Sequence, residues 1–553
     1  MRYLNAAKTT QSKKYTTKKN MRKIALAAMF CAVGTIAMAK PAYRGPITRT
    51  AEDGTEKTVF LHGNESFHYM TDEAGQWLDE NTLRPLSEEM KSERLQLRNA
   101  KNSVRRAPQQ QNGVGDEPNI APRGLVVLVN FQDKAFTTPR DTFDAMLNSE
   151  TFERNYSYRY GFAVIDVHAE GSVKRYFEDQ SYGAYSPIFD VVGPVTVSRN
   201  MSYYGSNDSG GNDQHPEIMV KEACELASSD FGVDFTLYDN DNDGFVDFVY
   251  IIYAGYGEAD GGSASTIWPH QWNLWDYGGL RYVVDGKILN RYACGCELSY
   301  GSKMYDGIGT ICHEFSHVLG LPDLYSTDQS STHKTMGAWD VMDYGPYNND
   351  GNTPPSYSAY ERFYMGWLTP RVLDQTPSFE YLKPINQDKG DAILLCKEDQ
   401  HNLVGWNPNP KEFYLLEART QEGWDEYLPG SGMLITRIRF DYNKWSNNKV
   451  NNYEKTMGVD LIEAKTNRES YGRYTDAYPA GKDYWIGLTD HEVTDIEVRD
   501  EGLIAFSFNG GTEGPEGVEN VTTPARTTKV IQNGQILILR DGKTYNLLGT
   551  PID

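Results

Sequence analysis

The stretch HEFSHVLGLPD, which begins at His313, limits the possible folds of this chain more than any other segment. His313 and His317 are four residues apart, so a helix would place them on one face, where both can bind a single ion. Gly320 can end that helix in a left-handed cap, and Pro322 forbids its continuation. The turn that follows could bring Asp323 back over the helix as a third, oxygen ligand. The spacing therefore predicts a helix that ends in a zinc site.

A glutamate beside the first histidine makes this predicted metal site a candidate catalytic site. A catalytic zinc usually has three protein ligands, and it lowers the pKa of the water it binds to about 7. Glu314 could take a proton from that water during attack on a carbonyl and then pass it to the leaving amine. The spacing alone does not separate peptide hydrolysis from zinc hydrolysis of another bond. An inactive binding scaffold is a further alternative, but such a scaffold has no physical need to keep Glu314 beside the ligands.

The stretch MRKIALAAMFCAVGTIAMA has the three parts of a secretory signal. A basic start at Met21 precedes an apolar run, and the small residues around Met38 form a pattern that signal peptidase cleaves after Ala39. The apolar run is short for a membrane span, which needs about 20 residues, so a membrane anchor is the alternative. We predict a signal peptide over residues 1–39, with Met21 as an alternative start. The mature protein is then expected outside the cell or on its surface, after passage through the periplasm, with no further membrane span.

The composition agrees with a secreted chain. The formal net charge is -22, from 76 acidic and 54 basic residues, which argues against a nucleic-acid partner because phosphate binding needs clustered Lys and Arg. Six cysteines include Cys31 of the signal, so five remain, and an odd number leaves at least one thiol unpaired or intermolecular. Cys294 and Cys296 lack the CxxC spacing of a second zinc site, and Cys312 is predicted to be buried on another face of the site helix.

Changes in residue composition and in the pattern of apolar residues along the chain predict the domain organisation. Residues 40–122 contain a strand and hairpin, a charged helix and a Pro, Gln and Asn-rich linker after Arg105-Arg106. This arrangement is typical of a propeptide with a cleavable connection, and a structural N-terminal module is the alternative. Buried strands interleaved with helical patterns predict a mixed α/β catalytic domain over residues 123–370. Short alternating strands predict an all-β sandwich over residues 371–511. A linker over residues 512–526 and a short β tail over residues 527–553 follow.

A second motif, DNDNDGFVDF, predicts a calcium loop. Its acidic residues fall at positions one, three, five and nine of an EF-hand-like loop, Gly244 supplies the sharp turn at position six, and the carbonyl of the residue at position seven would be a further ligand. The expected ligands are Asp239, Asp241, Asp243, Phe245 and Asp247. Position twelve is Tyr250 rather than Glu, so this is not a complete EF-hand. An acidic Asn/Asp turn without an ion is the alternative.

The site motif also resembles that of a known family. HEFSHVLGLPDLY, followed by GAWDVMDYGPYNNDGNTPPSYSAYERFYMGWLTP, is similar to the immune inhibitor A family of secreted metalloproteases, which are metzincin-like zincins whose extended motif ends in Asp. The resemblance covers roughly residues 40–511. It implies an α+β zincin catalytic domain with an N-terminal propeptide and a C-terminal all-β sandwich. It also implies that Met342 is the methionine of a turn beneath the metal and that Tyr344 donates a hydrogen bond to the oxyanion, with core packing as the alternative for both.

Together these features predict a secreted zinc endopeptidase made as a zymogen, with one catalytic Zn²⁺ and at least one structural Ca²⁺. Its expected partners are extracellular or host proteins and peptides, it is expected to be a monomer, and it could process its own propeptide. The propeptide has no cysteine, so an acidic residue such as one in YMTDEAG would have to block the metal. Residues 290–298 are the candidate edge strand for substrate pairing. The C-terminal tail is similar to segments that direct export of secreted bacterial proteins.

Overall fold

The computed structural model describes residues 42–101, 122–513 and 528–552. Within these ranges it leaves out residues 44–45, 52–53, 65–66, 81, 161–162, 209–210, 275–280, 329–332, 388, 399–400, 467–471, 533–534, 541–542 and 546–550. The predicted signal peptide and most of both predicted linkers lie outside the described residues. No helix among the described residues is long and apolar enough to cross a membrane.

The secondary structure is numbered in chain order. The α-helices of the described residues are α1 (Glu88–Lys101), α2 (Arg140–Asn148), α3 (Val173–Gln180), α4 (Met201–Gly205), α5 (Pro216–Phe231), α6 (Gly309–Val318), α7 (Ala359–Tyr364) and α8 (Tyr442–Ser446). The strands of the first half are β1 (Ile47–Thr50), β2 (Glu56–Asn64), β3 (Phe67–Thr71), β4 (Trp77–Leu78), β5 (Arg123–Asn130), β6 (Glu153–Tyr160), β7 (Ala163–Glu170), β8 (Ile188–Thr196), β9 (Phe245–Val246), β10 (Val249–Tyr256), β11 (His270–Asn273), β12 (Tyr282–Val284), β13 (Lys287–Leu289) and β14 (Arg291–Leu298). The strands of the second half are β15 (Arg371–Val372), β16 (Ser378–Leu382), β17 (Ala392–Leu395), β18 (Glu412–Arg419), β19 (Gly432–Arg439), β20 (Val459–Leu461), β21 (Val493–Val498), β22 (Ile504–Phe508), β23 (Thr528–Gln532), β24 (Gln535–Arg540), β25 (Lys543–Tyr545) and β26 (Pro551–Ile552).

A five-stranded sheet forms the centre of the catalytic segment, in the order β11-β14-β10-β5-β8. Strands β8, β5, β10 and β14 are parallel, and β11 runs antiparallel to β14. Successive side chains of β5 alternate between two cores, as strand geometry requires. Val126 and Leu128 belong to the core that contains Phe315 of α6, whereas Val127 belongs to the core that contains Met219 of α5. The predicted mixed α/β fold is confirmed, since helices cover both faces of this sheet.

The helix that carries the histidines is α6, and it ends two residues before a left-handed glycine. Gly320 has a φ of 100°, a conformation that an L side chain rarely adopts, and Pro322 follows in the chain. Every residue of α6 is buried, because the helix lies under the central sheet and against the segment that follows it. The helix and its termination are therefore as the sequence predicts.

The predicted edge strand for substrate pairing is wrong. Strand β14 lies between β10 and β11, and its central six residues are buried, which is typical of an interior strand. The strand β11 is the edge next to it, and among the described residues β11 pairs on one side only. An apolar run in a sequence does not reveal which strand will pair beside it, and this missing information caused the error.

The regions on either side of the catalytic segment are separate sheets. The N-terminal unit, defined as residues 42–101, contains a four-stranded sheet β1-β2-β3-β4, which includes the predicted hairpin, and the charged helix α1. The C-terminal β-region, defined as residues 371–513, contains a five-stranded sheet β15-β17-β18-β19-β20 and a three-stranded sheet β16-β22-β21. Leu416 of one sheet and Phe506 of the other share a buried core, whereas Leu415 faces the core that contains α7. Strands β23 to β26 form an antiparallel sheet at the predicted tail.

Candidate metal and active site

Three side chains converge at the end of α6. The Nε2 atoms of His313 and His317 are 3.2 Å apart, and Oδ1 of Asp323 lies 3.3 Å from the first and 3.0 Å from the second. A tetrahedral zinc with bonds of about 2.0–2.1 Å would hold its ligand atoms roughly 3.3 Å apart. All three side chains are buried, so an ion there would be shielded from bulk water. The spacing of these donor atoms fits a zinc ion.

The remaining nitrogen of each histidine is held by a backbone carbonyl. Nδ1 of His313 donates to the carbonyl of Val341 at 2.8 Å, and Nδ1 of His317 donates to the carbonyl of Leu321 at 2.8 Å. A neutral ring that donates from Nδ1 has its lone pair at Nε2, the atom that faces the other ligands. These contacts fix the tautomer and the ring orientation that a metal ligand needs.

The third ligand position is electrostatically suited to an ionised carboxylate. Burial by itself raises the pKa of Asp323, but the two adjacent imidazoles of His317 and His313 outweigh burial and hold this pKa well below its usual range. The amide of Asn448 donates to the other carboxylate oxygen, Oδ2. Asp323 is therefore in the form that binds a cation.

The candidate general base lies next to these ligands. Glu314 is fully buried on α6, between the two histidines in sequence. Burial raises the pKa of Tyr250 on β10 well above its usual value, and the nearby Glu314 carboxylate raises it further. Glu314 thus lies in a buried, poorly solvated environment near Tyr250.

The segment after α6 supports the site through its backbone. The carbonyl of Met342 accepts a hydrogen bond from the amide of Leu324, the residue after Asp323, at 2.8 Å. Met342 is fully buried and belongs to the same core as Phe315 of α6. Tyr344 is half-buried and its ring lies 5.0 Å from that of Tyr347, so its role towards an oxyanion stays a prediction.

The predicted calcium loop is partly assembled. Carboxylate oxygens of Asp239, Asp241 and Asp243 lie within 4.8 Å of one another, and Gly244 has the positive φ, 92°, that the sharp turn requires. Oδ2 of Asp239 also accepts from Nζ of Lys287 at 2.5 Å, so a cation side chain already contacts this cluster.

The last predicted acidic ligand of this loop is engaged elsewhere. Oδ2 of Asp247 accepts from the backbone amide of Asn240 at 2.6 Å and from its side-chain amide at 2.9 Å. Phe245, at position seven, belongs to the short strand β9 and donates its own amide to Asp243 at 2.8 Å. The structure therefore brings together three of the five predicted calcium ligands, and calcium binding stays a prediction.

Two further groups of metal-binding side chains escaped the sequence analysis. Cys296 lies 4.0 Å from carboxylate oxygens of Asp260 and Asp306, which come from a turn and a loop distant in sequence. His68 and Glu80 of the N-terminal unit meet Glu258 of the catalytic segment. No motif signals such groups, because their members are far apart along the chain.

The second of these groups is filled by an amide. Nδ2 of Asn207 lies 3.0 Å from Nε2 of His68, 3.1 Å from Oε2 of Glu80 and 2.9 Å from Oε1 of Glu258. The position that an ion would take is therefore occupied by a hydrogen-bond donor. This buried group joins the N-terminal unit to the catalytic segment.

The acidic residues suggested as the latency group are placed elsewhere. Oδ1 of Asp72 accepts hydrogen bonds from the amides of Ala74 and Gln76, and Glu73 is exposed. They form a turn between β3 and β4, whereas the metal ligands are buried. The acids of this motif therefore stabilise their own turn, and the identity of the latency group stays a prediction.

The five cysteines outside the predicted signal peptide are buried free thiols, namely Cys224, Cys294, Cys296, Cys312 and Cys396. Burial raises the pKa of Cys312 well above its usual value, and its side chain packs in the core beneath α6, as predicted. The chain is not stabilised by disulfides among its described residues.

Comparison with known proteins agrees with this geometry. Residues 115–368 match the family model of the immune inhibitor A peptidase M6 catalytic domain. This segment is therefore similar to an M6 peptidase catalytic domain. The match covers the central sheet, α6 and the methionine turn, and it leaves the N-terminal unit and the C-terminal β-region outside.

Two kinds of curated relatives are similar to this M6 segment. Immune inhibitor A of Bacillus thuringiensis subsp. alesti is 30% identical over 268 residues, which are 43% of this chain and 38% of the relative. The pre-pro-metalloprotease PrtV of Vibrio cholerae serotype O1 (strain M66-2) is 30% identical over 217 residues, which are 35% of this chain and 23% of the relative. The chain thus spans less than two fifths of the length of the relatives it matches.

Proposed function

We propose that the chain is a secreted zinc endopeptidase made as a zymogen. The observation that carries the proposal is the convergence of two Nε2 atoms and one carboxylate oxygen within 3.3 Å at the end of α6. The M6 family match over residues 115–368 and the similarity to immune inhibitor A and to the metalloprotease PrtV support peptide-bond hydrolysis as the reaction. The buried Glu314 supplies the group that an inactive scaffold would not need.

His313, His317 and Asp323 would hold the zinc ion. When bound, zinc supplies Lewis acidity, which acidifies water and polarises a carbonyl. Glu314 accepts a proton from the attacking water and donates it to the leaving amine nitrogen. Tyr344, held at the end of the methionine turn, donates its hydroxyl proton in a hydrogen bond to the oxygen of the tetrahedral substrate.

The substrate backbone pairs with β11 rather than with β14. Strand β11 is antiparallel, is paired on one side only among the described residues, and lies at the edge of the sheet nearest α6. An extended peptide added to this edge would gain main-chain hydrogen bonds with little dependence on its sequence. This favours protein and peptide substrates over small non-peptide esters or amides.

The N-terminal unit is proposed to be the propeptide. It contacts the catalytic segment close to β11. There the amide of Tyr43 donates to the carbonyl of Ala259 at 2.6 Å, and His68 stacks on Trp268 at 4.6 Å. Trp268 lies two residues before β11, so the docked unit limits access to the proposed substrate edge. Removal of this unit after cleavage in the linker that follows Arg105-Arg106 would open the cleft.

The other proposed features concern the flanking regions. The predicted signal peptide would direct export, the C-terminal β-region would form the sandwich domain, and the tail would serve in sorting. The aspartate loop would bind one structural calcium ion through Asp239, Asp241 and Asp243. These proposals rest on sequence patterns and on the strand arrangement of each region.

The central test compares the parent protein with Glu314→Gln after removal of the N-terminal unit. We expect the parent to cleave casein and the variant to lose activity by about 10²–10⁴-fold, while both hold one equivalent of zinc. Retained zinc shows that the variant has an intact metal site. An active variant would contradict the proposed role of Glu314 as general base. A parent that holds zinc but cleaves no protein would contradict the proposed endopeptidase activity.

The zymogen proposal has its own test. The intact chain is expected to be inactive on casein until the linker is cut, and mixing the separated N-terminal unit with the active enzyme should restore inhibition. Trp268→Ala, which removes the ring that His68 stacks on, should weaken this inhibition. An intact chain as active as the processed one would exclude latency.

A further inference from the structure

A loop of the C-terminal β-region contacts the third metal ligand directly. The asparagine loop, defined as residues 447–452, follows α8 and precedes β20. Oδ1 of Asn448 accepts from the backbone amide of Asp323 at 2.8 Å, and Nδ2 of Asn448 donates to Oδ2 of Asp323. One amide group therefore contacts both the backbone and the carboxylate of the same residue.

This contact decides which carboxylate oxygen faces the histidines. The terminal torsion of an aspartate is broad, so a carboxylate without an orienting donor rotates easily. Asn448 holds Oδ2, and this leaves Oδ1 within 3.3 Å of the Nε2 atoms of His313 and His317. Among the described residues, Oδ1 accepts no hydrogen bond from any other group.

The asparagine loop is itself anchored on the segment that carries Asp323. Nδ2 of Asn451 donates to the carbonyl of Leu324 at 2.7 Å, and Oδ1 of Asn452 accepts from the amide of Thr327 at 2.7 Å. Oγ1 of Thr327 donates to the carbonyl of Asn448 at 2.6 Å. Because of these contacts, Asn448 is fixed relative to Asp323.

The backbone of Asn448 explains the residue type. Its φ is 52°, in the left-handed region that asparagine tolerates better than most residues. An aspartate would also tolerate this backbone, but it would set a second negative carboxylate against Asp323 and remove the N–H donor. Only an amide of this length supplies one acceptor and one donor in the arrangement observed.

The three proposed ligands thus differ in what supports them. His313 and His317 are oriented by carbonyls of the catalytic segment, at Val341 and Leu321. Asp323 is oriented from outside the M6 segment, which ends at residue 368. The metal centre is therefore incomplete without the C-terminal β-region.

We infer that Asn448 is a positioning residue of the metal centre, which holds the carboxylate of Asp323 in its ligating orientation and couples metal affinity to docking of the C-terminal β-region. This inference rests on the proposed zinc site. Outer hydrogen-bond partners of metal ligands typically change metal affinity by about 10- to 100-fold when they are removed.

The test measures zinc affinity in the full-length chain by competition with a fluorescent chelator. Asn448→Gly keeps the left-handed backbone and removes the amide, and Asn448→Asp keeps the shape and removes the donor. Asn447→Ala is the matched control, because the side-chain amide of Asn447 donates to the carbonyl of Asn443 in α8. Melting curves of the metal-free proteins check that every variant is folded.

We expect both Asn448 variants to bind zinc about 10- to 100-fold more weakly than the parent, and Asn447→Ala to stay within about twofold. Cobalt provides a second readout, since a changed carboxylate orientation alters the visible absorption of the Co²⁺-loaded protein, whereas lost packing elsewhere does not.

Three results would overturn or limit the inference in distinguishable ways. Folded Asn448 variants with parental zinc affinity and an unchanged cobalt spectrum would reduce Asn448 to a packing residue. Equal weakening by Asn447→Ala would assign the effect to the stability of the loop as a whole and overturn the specific role. A parent that binds no zinc would overturn the proposed function together with this inference.

Discussion

The zinc triad and the aspartate loop are both candidate cation sites signalled by short motifs, yet the fold treats them differently. The triad joins two helical residues to Asp323 across a turn, and the non-ligating atom of each side chain has its own partner. The aspartate loop takes all its acids from residues 239–247, and Asp241 and Asp243 are exposed. Its carboxylates accept hydrogen bonds from amides of the same loop.

The difference teaches that a site whose side chains are held by distant parts of the chain is preorganised, whereas a loop without such support must be ordered by its ion. The donor atoms of the triad are buried, so leaving them without an ion or a hydrogen-bond partner costs free energy. The exposed Asp241 and Asp243 can exchange an ion for water, and the buried Asp239 can exchange it for the ammonium group of Lys287. Removal of one ligand should therefore abolish the first site and only weaken the second.

The largest effect is expected for His317→Ala. Loss of one of three ligands should leave the M6 segment without bound zinc after dialysis, and casein cleavage should fall by about 10³-fold or more. The metal content is measured by mass spectrometry. His491→Ala is the control, because His491 is also buried but lies in the C-terminal β-region. Retained zinc in His317→Ala would show that the triad is not the metal site.

A smaller effect is expected when the aspartate loop loses calcium. A chelator should lower the melting temperature of the parent by about 5 °C, and added calcium should restore it, because a bound ion stabilises the folded state by a few kcal/mol. Asp243→Asn should lose most of this response. The control is Asp230→Asn, which removes an equal charge from the end of α5. A parental melting curve that does not respond to either treatment would exclude calcium from the loop.

Lys287 allows a sharper test of the same loop. Its ammonium group contacts Oδ2 of Asp239, so Lys287→Met should raise calcium affinity by about fivefold. This factor corresponds to roughly 1 kcal/mol, the interaction energy of two unit charges in a water-like dielectric. Lys287→Arg keeps the charge and should stay close to the parent. Weaker calcium binding in Lys287→Met would mean that the lysine supports the loop instead of competing with the ion.

The smallest effect concerns Asp340, which precedes the methionine turn. Burial raises its pKa from 3.8 to about 7, against the lowering effect of the Met342 amide. The folded protein therefore holds this proton more tightly than the unfolded chain. The contribution to stability is complete below pH 4 and is lost as the pH rises through 7.

Replacement of this carboxyl removes that pH dependence. Asp340→Asn keeps an acceptor for the Met342 amide and should flatten the fall in melting temperature between pH 4 and pH 7 by a few degrees. Melting curves at matched ionic strength provide the measurement. A parent whose stability does not fall over this interval would contradict the raised pKa.

Periodicity and spacing predicted the local parts of the site. The four-residue histidine spacing, Gly320 and Pro322 gave a helix that ends where Asp323 can return, because these are rules of one helical turn and its termination. The hairpin of β12 and β13 turns at Asp285-Gly286, a pair that favours such turns, and Asp285 has the positive φ, 50°, that the turn requires. Domain boundaries and the calcium ligands remain predictions.

Strand order and long-range contacts could not be predicted in this way. The sequence of β14 indicates a buried strand, but its position between β10 and β11 depends on which strand pairs beside it. No signal in the run WSNNKVNNY, which contains Asn448, points to Asp323. Contacts between residues more than a hundred positions apart leave no periodic pattern in a single sequence.

The sequence by itself determined which groups can bind a metal and accept a proton, since residue type and helical spacing fix the chemistry of His313, Glu314 and His317. Only the tertiary structure decided that Val341, Leu321 and Asn448 contact the candidate ligands, and that the N-terminal unit lies beside Trp268, two residues before β11. The physical reason is that chemistry belongs to side chains, whereas orientation comes from the packing of segments that are distant in the chain.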